Sequence, residues 1–174
     1  IPGIQYLVGN HPVPGEGSLA AGELIRDAVS GLTVNDLVLL LLSGGGSALA
    51  TLPEEGVTLA DMQQLTQALL RSGASINEMN AVRKHLDRIK GGGLLRLASP
   101  ARVVALVLSD VVRSPLDVIA SAPAYPDPST FETALDVVRK AAKFGAIPLS
   151  ITDHLENGVS GKIPETVKQA DELA

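Results

Sequence analysis

Apolar residues recur along this chain in two rhythms. Leu37 to Leu42 and Val103 to Leu108 are continuous apolar runs of strand length. Such runs predict strands buried on both faces, as in a parallel sheet. Elsewhere the apolar positions fall at helical spacing. A helix is predicted from a Ser18 cap to about Ser30, with Leu24, Ile25, Ala28 and Val29 on its apolar side and Gly31 as its stop. Thr58 with Asp61 has the form of a capping box opening a helix to about Arg71, with Leu59, Met62, Leu65 and Leu69 as its stripe. Asn77 to Lys90 carries Met79, Val82, Leu86 and Ile89 on one face and is broken by Gly91-Gly92-Gly93. Asp127-Pro128 opens a helix to about Phe144, with Phe131, Leu135 and Val138 inward and Gly145 after it. Weaker signals predict a strand over Gln5–Val8 and a short helix from Leu149 to Leu155. Buried strands alternating with amphipathic helices imply an α/β domain, a parallel sheet wrapped on both sides.

Composition narrows the class. The 174 residues suit one domain, with 45% hydrophobic and 19% charged residues. Residues 1–157 are expected to form it, and the polar stretch 158–174 reads as a linker. Aromatic content is 2% with no Trp, so aliphatic residues must fill the core and stacking platforms for single-stranded nucleic acid are lacking. The net charge of -5, with no dense Lys/Arg stripe, argues against nucleic-acid or anionic-membrane partners. There is no Cys, which excludes disulfides and thiolate metal sites and fits a reducing, cytoplasmic setting. No apolar run approaches the ~20 residues of a membrane span. The chain begins with Ile1, not Met, and reads as a piece of a longer protein.

The residues that point to chemistry cluster around Ser43-Gly44-Gly45-Gly46-Ser47-Ala48, directly after the first apolar run. Consecutive glycines let backbone N–H groups approach an anion, and Ser43 and Ser47 add hydroxyls. A tight strand-to-helix turn is the plain alternative. The loop is neither a Walker A sequence nor a dinucleotide fingerprint, so a kinase using it needs cations from elsewhere. Asn80, Arg83, Asp87 and Lys90, at offsets of three, four and three, share one polar stripe of the predicted Asn77–Lys90 helix. That stripe could clamp a carboxylate or phosphate, or simply be a solvated, self-paired face. Ser109-Asp110 ends the second apolar run, where ligands of open α/β sheets gather. Asp110 there could accept a substrate hydroxyl proton or help hold Mg²⁺, or could cap the next segment. His11 lies in a Pro-rich turn, and His85 and His154 read as surface residues.

In order along the chain stand Gly9-Asn10-His11-Pro12-Val13-Pro14, Ser43 to Leu49, Ser72-Gly73-Ala74, Asn80-x-Val82-Arg83-Lys84-His85-Leu86, Lys90-Gly91-Gly92, Ser109-Asp110-Val111-Val112 and Pro126-Asp127-Pro128-Ser129-Thr130-Phe131. Together they resemble the glycerate 2-kinase family of the MOFRL-associated type, some members of which were formerly called hydroxypyruvate reductases. The resemblance runs from about Ile4 to Glu165. It implies a Rossmann-like three-layer α/β/α sandwich with a mainly parallel sheet, forming much of an N-terminal domain. It implies ATP-dependent phosphorylation of the 2-hydroxyl of D-glycerate with Mg²⁺, in a cleft shared with a second domain, and it allows a homo-oligomer. By that similarity Ser43, Gly44, Gly45, Gly46, Ser47, Asn80, Ser109 and His11 would bind phosphate or substrate, and Arg83, Lys90 and Asp110 would carry the reaction. The family's first segment, with a lysine important for activity, and its C-terminal domain are not in the chain, so the 174 residues alone are expected to be inactive. Two departures stand out: Arg113-Ser114 where the family has Gly-Asp, and Ser121-Ala122-Pro123-Ala124 where it has Ser-Gly-Pro-Thr. They leave open a non-catalytic anion- or nucleotide-binding module. Reduction of hydroxypyruvate ranks below both, because no dinucleotide fingerprint is present.

Overall fold

A computed structural model describes residues 3–108 and 116–169. The elements run α1 (Glu16–Val29), β1 (Leu37–Ser43), α2 (Gly46–Leu49), α3 (Leu59–Arg71), α4 (Ile76–Lys84), α5 (Gly93–Ala98), β2 (Arg102–Leu108), a short 3₁₀ turn (Ile119–Ser121), α6 (Phe131–Ala141) and α7 (Leu149–Val159). The two apolar runs pair in parallel, from Leu37 opposite Arg102 to Ser43 opposite Leu108. The fold is α/β with a parallel sheet, as expected. Among the described residues the sheet has two strands.

Burial of those strands differs from expectation. One face, with Val38, Leu40 and Val103, packs on Val29 of α1 and Leu94 and Ala98 of α5. The other presents Leu37, Leu39, Leu41, Val104, Leu106 and Leu108, all exposed. An apolar run predicts a strand without recording what covers each face, and here helices stand against one face of the described strands. The larger core lies away from the sheet. There Met62, Leu65 and Leu69 of α3, Val82 of α4, Phe131, Leu135 and Val138 of α6, and Ile151 and Leu155 of α7 interlock. The 3.6-residue stripes read from the sequence supply these contacts.

Helix ends show where side chains override periodicity. In α3 the Thr58 hydroxyl accepts from the Asp61 N–H at 3.1 Å, and the Asp61 carboxylate accepts from the Thr58 N–H at 2.9 Å. α1 is capped by Gly15, not Ser18. Ser18 sits three residues inside, fully buried, and its hydroxyl accepts from the N–H groups of Gly15 and Asn10. α6 starts after Thr130, whose hydroxyl accepts from the Thr133 N–H, while Asp127 is buried. Gln5–Val8 forms no strand, and Tyr6 and Val8 are exposed.

The largest correction concerns α4, which stops at Lys84 instead of reaching Lys90. The chain from His85 turns to run beside residues 52–54. The Glu54 N–H donates to the Leu86 carbonyl at 3.0 Å and the Arg88 N–H to the Leu52 carbonyl at 2.7 Å. The Asp87 carboxylate takes up the Thr51 hydroxyl at 2.6 Å and the Ile89 N–H at 3.1 Å. A short aspartate that bonds its own backbone competes with helix continuation.

The stretch expected as a polar linker is bonded to the domain as far as Lys168. Val167 is buried; its N–H donates to the Gly91 carbonyl and its carbonyl accepts from the Asp127 N–H. Glu165 accepts from the Phe131 N–H at 2.8 Å and lies 3.1 Å from His85 Nε2. His85 and His154 are buried against Phe131, not on the surface.

Candidate functional site

The glycine loop turns the chain from β1 into α2. Gly45 holds φ +82°, a left-handed conformation that L side chains rarely adopt, and a Cβ there would meet nothing closer than 4.0 Å. Conformation, not crowding, therefore calls for glycine at this position. The backbone N–H groups of Gly45 and Gly46 find no acceptor among the described residues.

A cavity of about 350 Å³ opens beside this loop. His11, Gly44, Gly45 and Ser47 line it from one side, and Asn80 and Arg83 of α4 from the other, with Val118, Ile119 and Ala120 closing it. Six sequence-predicted residues thus meet at one place. Burial pushes the Arg83 guanidinium down from its ordinary value and Asp87 opposes that shift; the group stays a cation. Among the described residues no ion pair engages it.

Other expectations separate from the cavity. Ser43 lies at the exposed end of β1, beside Leu41, Leu42 and Leu108. Gly46 opens α2 and backs onto Ala120 instead of lining the space. Lys90 does not reach the cavity, because the chain has left the helix before it. Its ammonium is buried, ion-paired to Asp87, and donates to the Ala50 carbonyl at 2.9 Å, bracing the end of α2 from behind. Burial pushes its pKa down and Asp87 pushes it back up. Ser109, Asp110, Arg113 and Ser114 lie outside the described residues. Among those described, no group of three or more His, Cys, Asp or Glu could hold a metal ion.

Ser121 escaped the sequence reading as a site residue. Ala120, Ser121 and Ala122 all adopt positive φ, of 50°, 59° and 56°. This left-handed run, costly for non-glycine residues, brings Ser121 Oγ to 2.6 Å from Ser47 Oγ and 3.0 Å from Asn80 Oδ1. Its one sequence signal is the altered Ser121-Ala122-Pro123-Ala124. The turn is held by main-chain bonds. The N–H groups of Gly91, Gly92 and Leu94 donate to the carbonyls of Ser121, Ala122 and Pro123 at 3.0, 2.8 and 3.1 Å.

A second polar cluster lies behind α4. Lys84 donates to Asp127 at 3.1 Å, and Ser129 and Thr166 hydroxyls complete the carboxylate's shell. Burial pushes the Asp127 pKa up, but the Ser129 hydroxyl and N–H, Lys84 and His85 outweigh it and hold it below the usual carboxylate value.

No helix among the described residues is long and apolar enough to cross a membrane. Comparison with known proteins places the chain. A protein-family model described as a domain of unknown function, DUF4147, matches residues 1–156. The chain is 57% identical over 140 residues to a D-glycerate 2-kinase of Thermotoga maritima, covering 80% of this chain and 34% of that protein. It is 40% identical over 166 residues to a glycerate 2-kinase of Pyrococcus horikoshii, covering 95% of this chain and 38% of that protein. A crystal structure of a glycerate kinase from Thermotoga maritima superposes with a TM-score of 0.81 at 48% identity, covering 92% of this chain and 37% of that one. The chain therefore spans little more than a third of the length of these relatives. From its match over residues 1–156, the chain belongs to the DUF4147 family.

Proposed function

We propose that this chain supplies one wall of the active site of an ATP-dependent glycerate 2-kinase, which transfers a phosphoryl group to the 2-hydroxyl of D-glycerate. The observation that carries this reading is the meeting of the glycine loop, His11, Asn80 and Arg83 around one cavity, in a chain whose relatives are named as glycerate kinases. Phosphoryl transfer asks a protein mainly to position its reactants and to stabilise charge. Open backbone N–H groups beside a half-buried guanidinium provide both for an anionic group, a phosphate of ATP or the substrate carboxylate. ATP would supply the phosphoryl group, and Mg²⁺ would neutralise charge on it, with Asp110 as the residue that would hold the ion. Lys90 acts as a structural brace for α2, with no direct role in transfer.

The test is ATP-dependent phosphorylation of D-glycerate by the full-length protein. Turnover that falls at least tenfold in Arg83→Gln and in Gly45→Val supports the assignment. An absence of turnover across D-glycerate and related hydroxy acids overturns it.

A further inference from the structure

Ser47 lines the cavity, and the hydrogen-bond chain behind it fixes where its hydroxyl proton points. The chain is anchored at the Val118 carbonyl, which can only accept. Asn80 Nδ2 lies 3.2 Å from it, so the amide nitrogen must face Val118 and Oδ1 must face Ser121. Ser121 Oγ is 3.0 Å from that amide oxygen. Ser121 is fully buried, and its bond to the amide oxygen is buried as well, so this oxygen relies on Ser121 for a donor. A buried acceptor left without a donor is costly, which commits the single Ser121 proton to Asn80. Ser121 Oγ then has only lone pairs to offer. Ser47 Oγ, 2.6 Å away, donates its own single proton to them. Toward the cavity Ser47 is left with lone pairs alone.

We infer that Ser47 recognises a hydroxyl group of the substrate, accepting its proton, and does not bind phosphate or carboxylate. An anionic oxygen brought against Ser47 Oγ would set lone pair against lone pair. The anion is left to Arg83 and the loop's backbone N–H groups. A hydroxy acid is thereby oriented, charge toward Arg83 and alcohol toward Ser47. This deepens the kinase reading by naming the specificity element of the same cavity, and it reverses the donor role expected for Ser47 from its place in a glycine loop.

The test uses calorimetry on the full-length protein with D-glycerate, D-lactate, 3-hydroxypropionate, propionate and inorganic phosphate. The wild type should favour at least one hydroxylated acid over propionate by about five- to tenfold, the worth of one hydrogen bond. Ser47→Ala should erase that preference and leave propionate and phosphate affinities within twofold. Ser121→Ala frees the Ser47 proton to point outward, so phosphate should bind several-fold tighter while the hydroxyl preference narrows. Melting curves check both variants, and if Ser121→Ala does not fold, the Ser47→Ala comparison decides. The inference is overturned if Ser47→Ala weakens phosphate or propionate as much as glycerate, if it leaves the hydroxyl preference intact, or if none of the four acids binds. Kinase turnover is measured separately. A Ser47-dependent hydroxyl preference without turnover sinks the kinase reading alone, and turnover without the preference sinks this inference alone.

Discussion

Replacing Lys90 by methionine separates a structural lysine from a catalytic one. Lys90→Met keeps the length and apolar bulk of the side chain but removes the charge that faces Asp87 and the donor that faces the Ala50 carbonyl. Asp87, 1% exposed, would keep the Thr51 hydroxyl and the Ile89 N–H but lose its counter-ion. Breaking a buried ion pair from one side costs about 3–5 kcal/mol. For a domain of this size each kcal/mol shifts Tm by roughly 2–4 °C, giving a fall of about 6–20 °C. Removing both charges, as Asp87→Asn with Lys90→Met, should recover most of the loss, because no uncompensated carboxylate is left behind. Thermal denaturation of the full-length protein followed by circular dichroism, with kcat/KM at a temperature where every variant is folded, measures both effects. A Lys90→Met protein with unchanged Tm and abolished turnover would refute the reasoning and return the ammonium to the reaction.

Three further outcomes follow from the geometry. Ala120→Gly should stabilise by roughly 0.5–1 kcal/mol, since relief of a left-handed alanine exceeds the added unfolded-state entropy, while Gly45→Ala should destabilise by about 1 kcal/mol for the converse reason; a destabilised Ala120→Gly or a stabilised Gly45→Ala in chemical denaturation would contradict this. Gly92→Ala should cost more than 2 kcal/mol and expose the 163–168 segment to proteolysis, because φ is +80° and a Cβ would fall 2.6 Å from Val167 Cβ. Stability should fall on acidification in two windows, read by denaturation at fixed pH. Burial depresses the pKa of His154, so its neutral folded form is favoured above the unfolded value of ~6.5 and that contribution is lost below it; His154→Leu should flatten this window. Asp127 is depressed in the folded state, so its contribution is complete above the unfolded value of ~3.9 and disappears as pH falls through the lower folded value.

The helices of the large core were legible because their apolar positions repeat at 3.6 residues and because Thr58 and Asp61 mark a start that the structure uses. The strands were legible as strands, but the exposure of Leu39 and Leu106 was not, since a run of leucines carries no record of which neighbour covers it. The glycine loop, Asn80 and Arg83 could be placed together from spacing and resemblance. Lys90 could not. Its position depends on Asp87 abandoning the helix to bond Thr51, a contact between residues 36 apart that no local pattern encodes. Ser121 was hidden for a similar reason: alanines and a serine give no sign that three residues in succession will turn left-handed.

That left-handed turn is stitched to Gly91–Leu94 entirely through main-chain atoms, and the same seam continues from Gly91 to Val167 and on to Asp127. Such a seam makes few demands on side chains where the backbone is ordinary, and strict ones at Gly91 and Gly92, whose φ values are +55° and +80°. Around Ala122 and Ala124 the geometry beside the loop is held by peptide groups. Ser121 is the exception, since its hydroxyl and not its backbone reaches Ser47 and Asn80. Saturation mutagenesis should therefore find a sharp boundary within four residues: steep intolerance at Ser121, glycine favoured over every larger residue at Ala122, which is buried at φ +56°, and wider drift at Ala124.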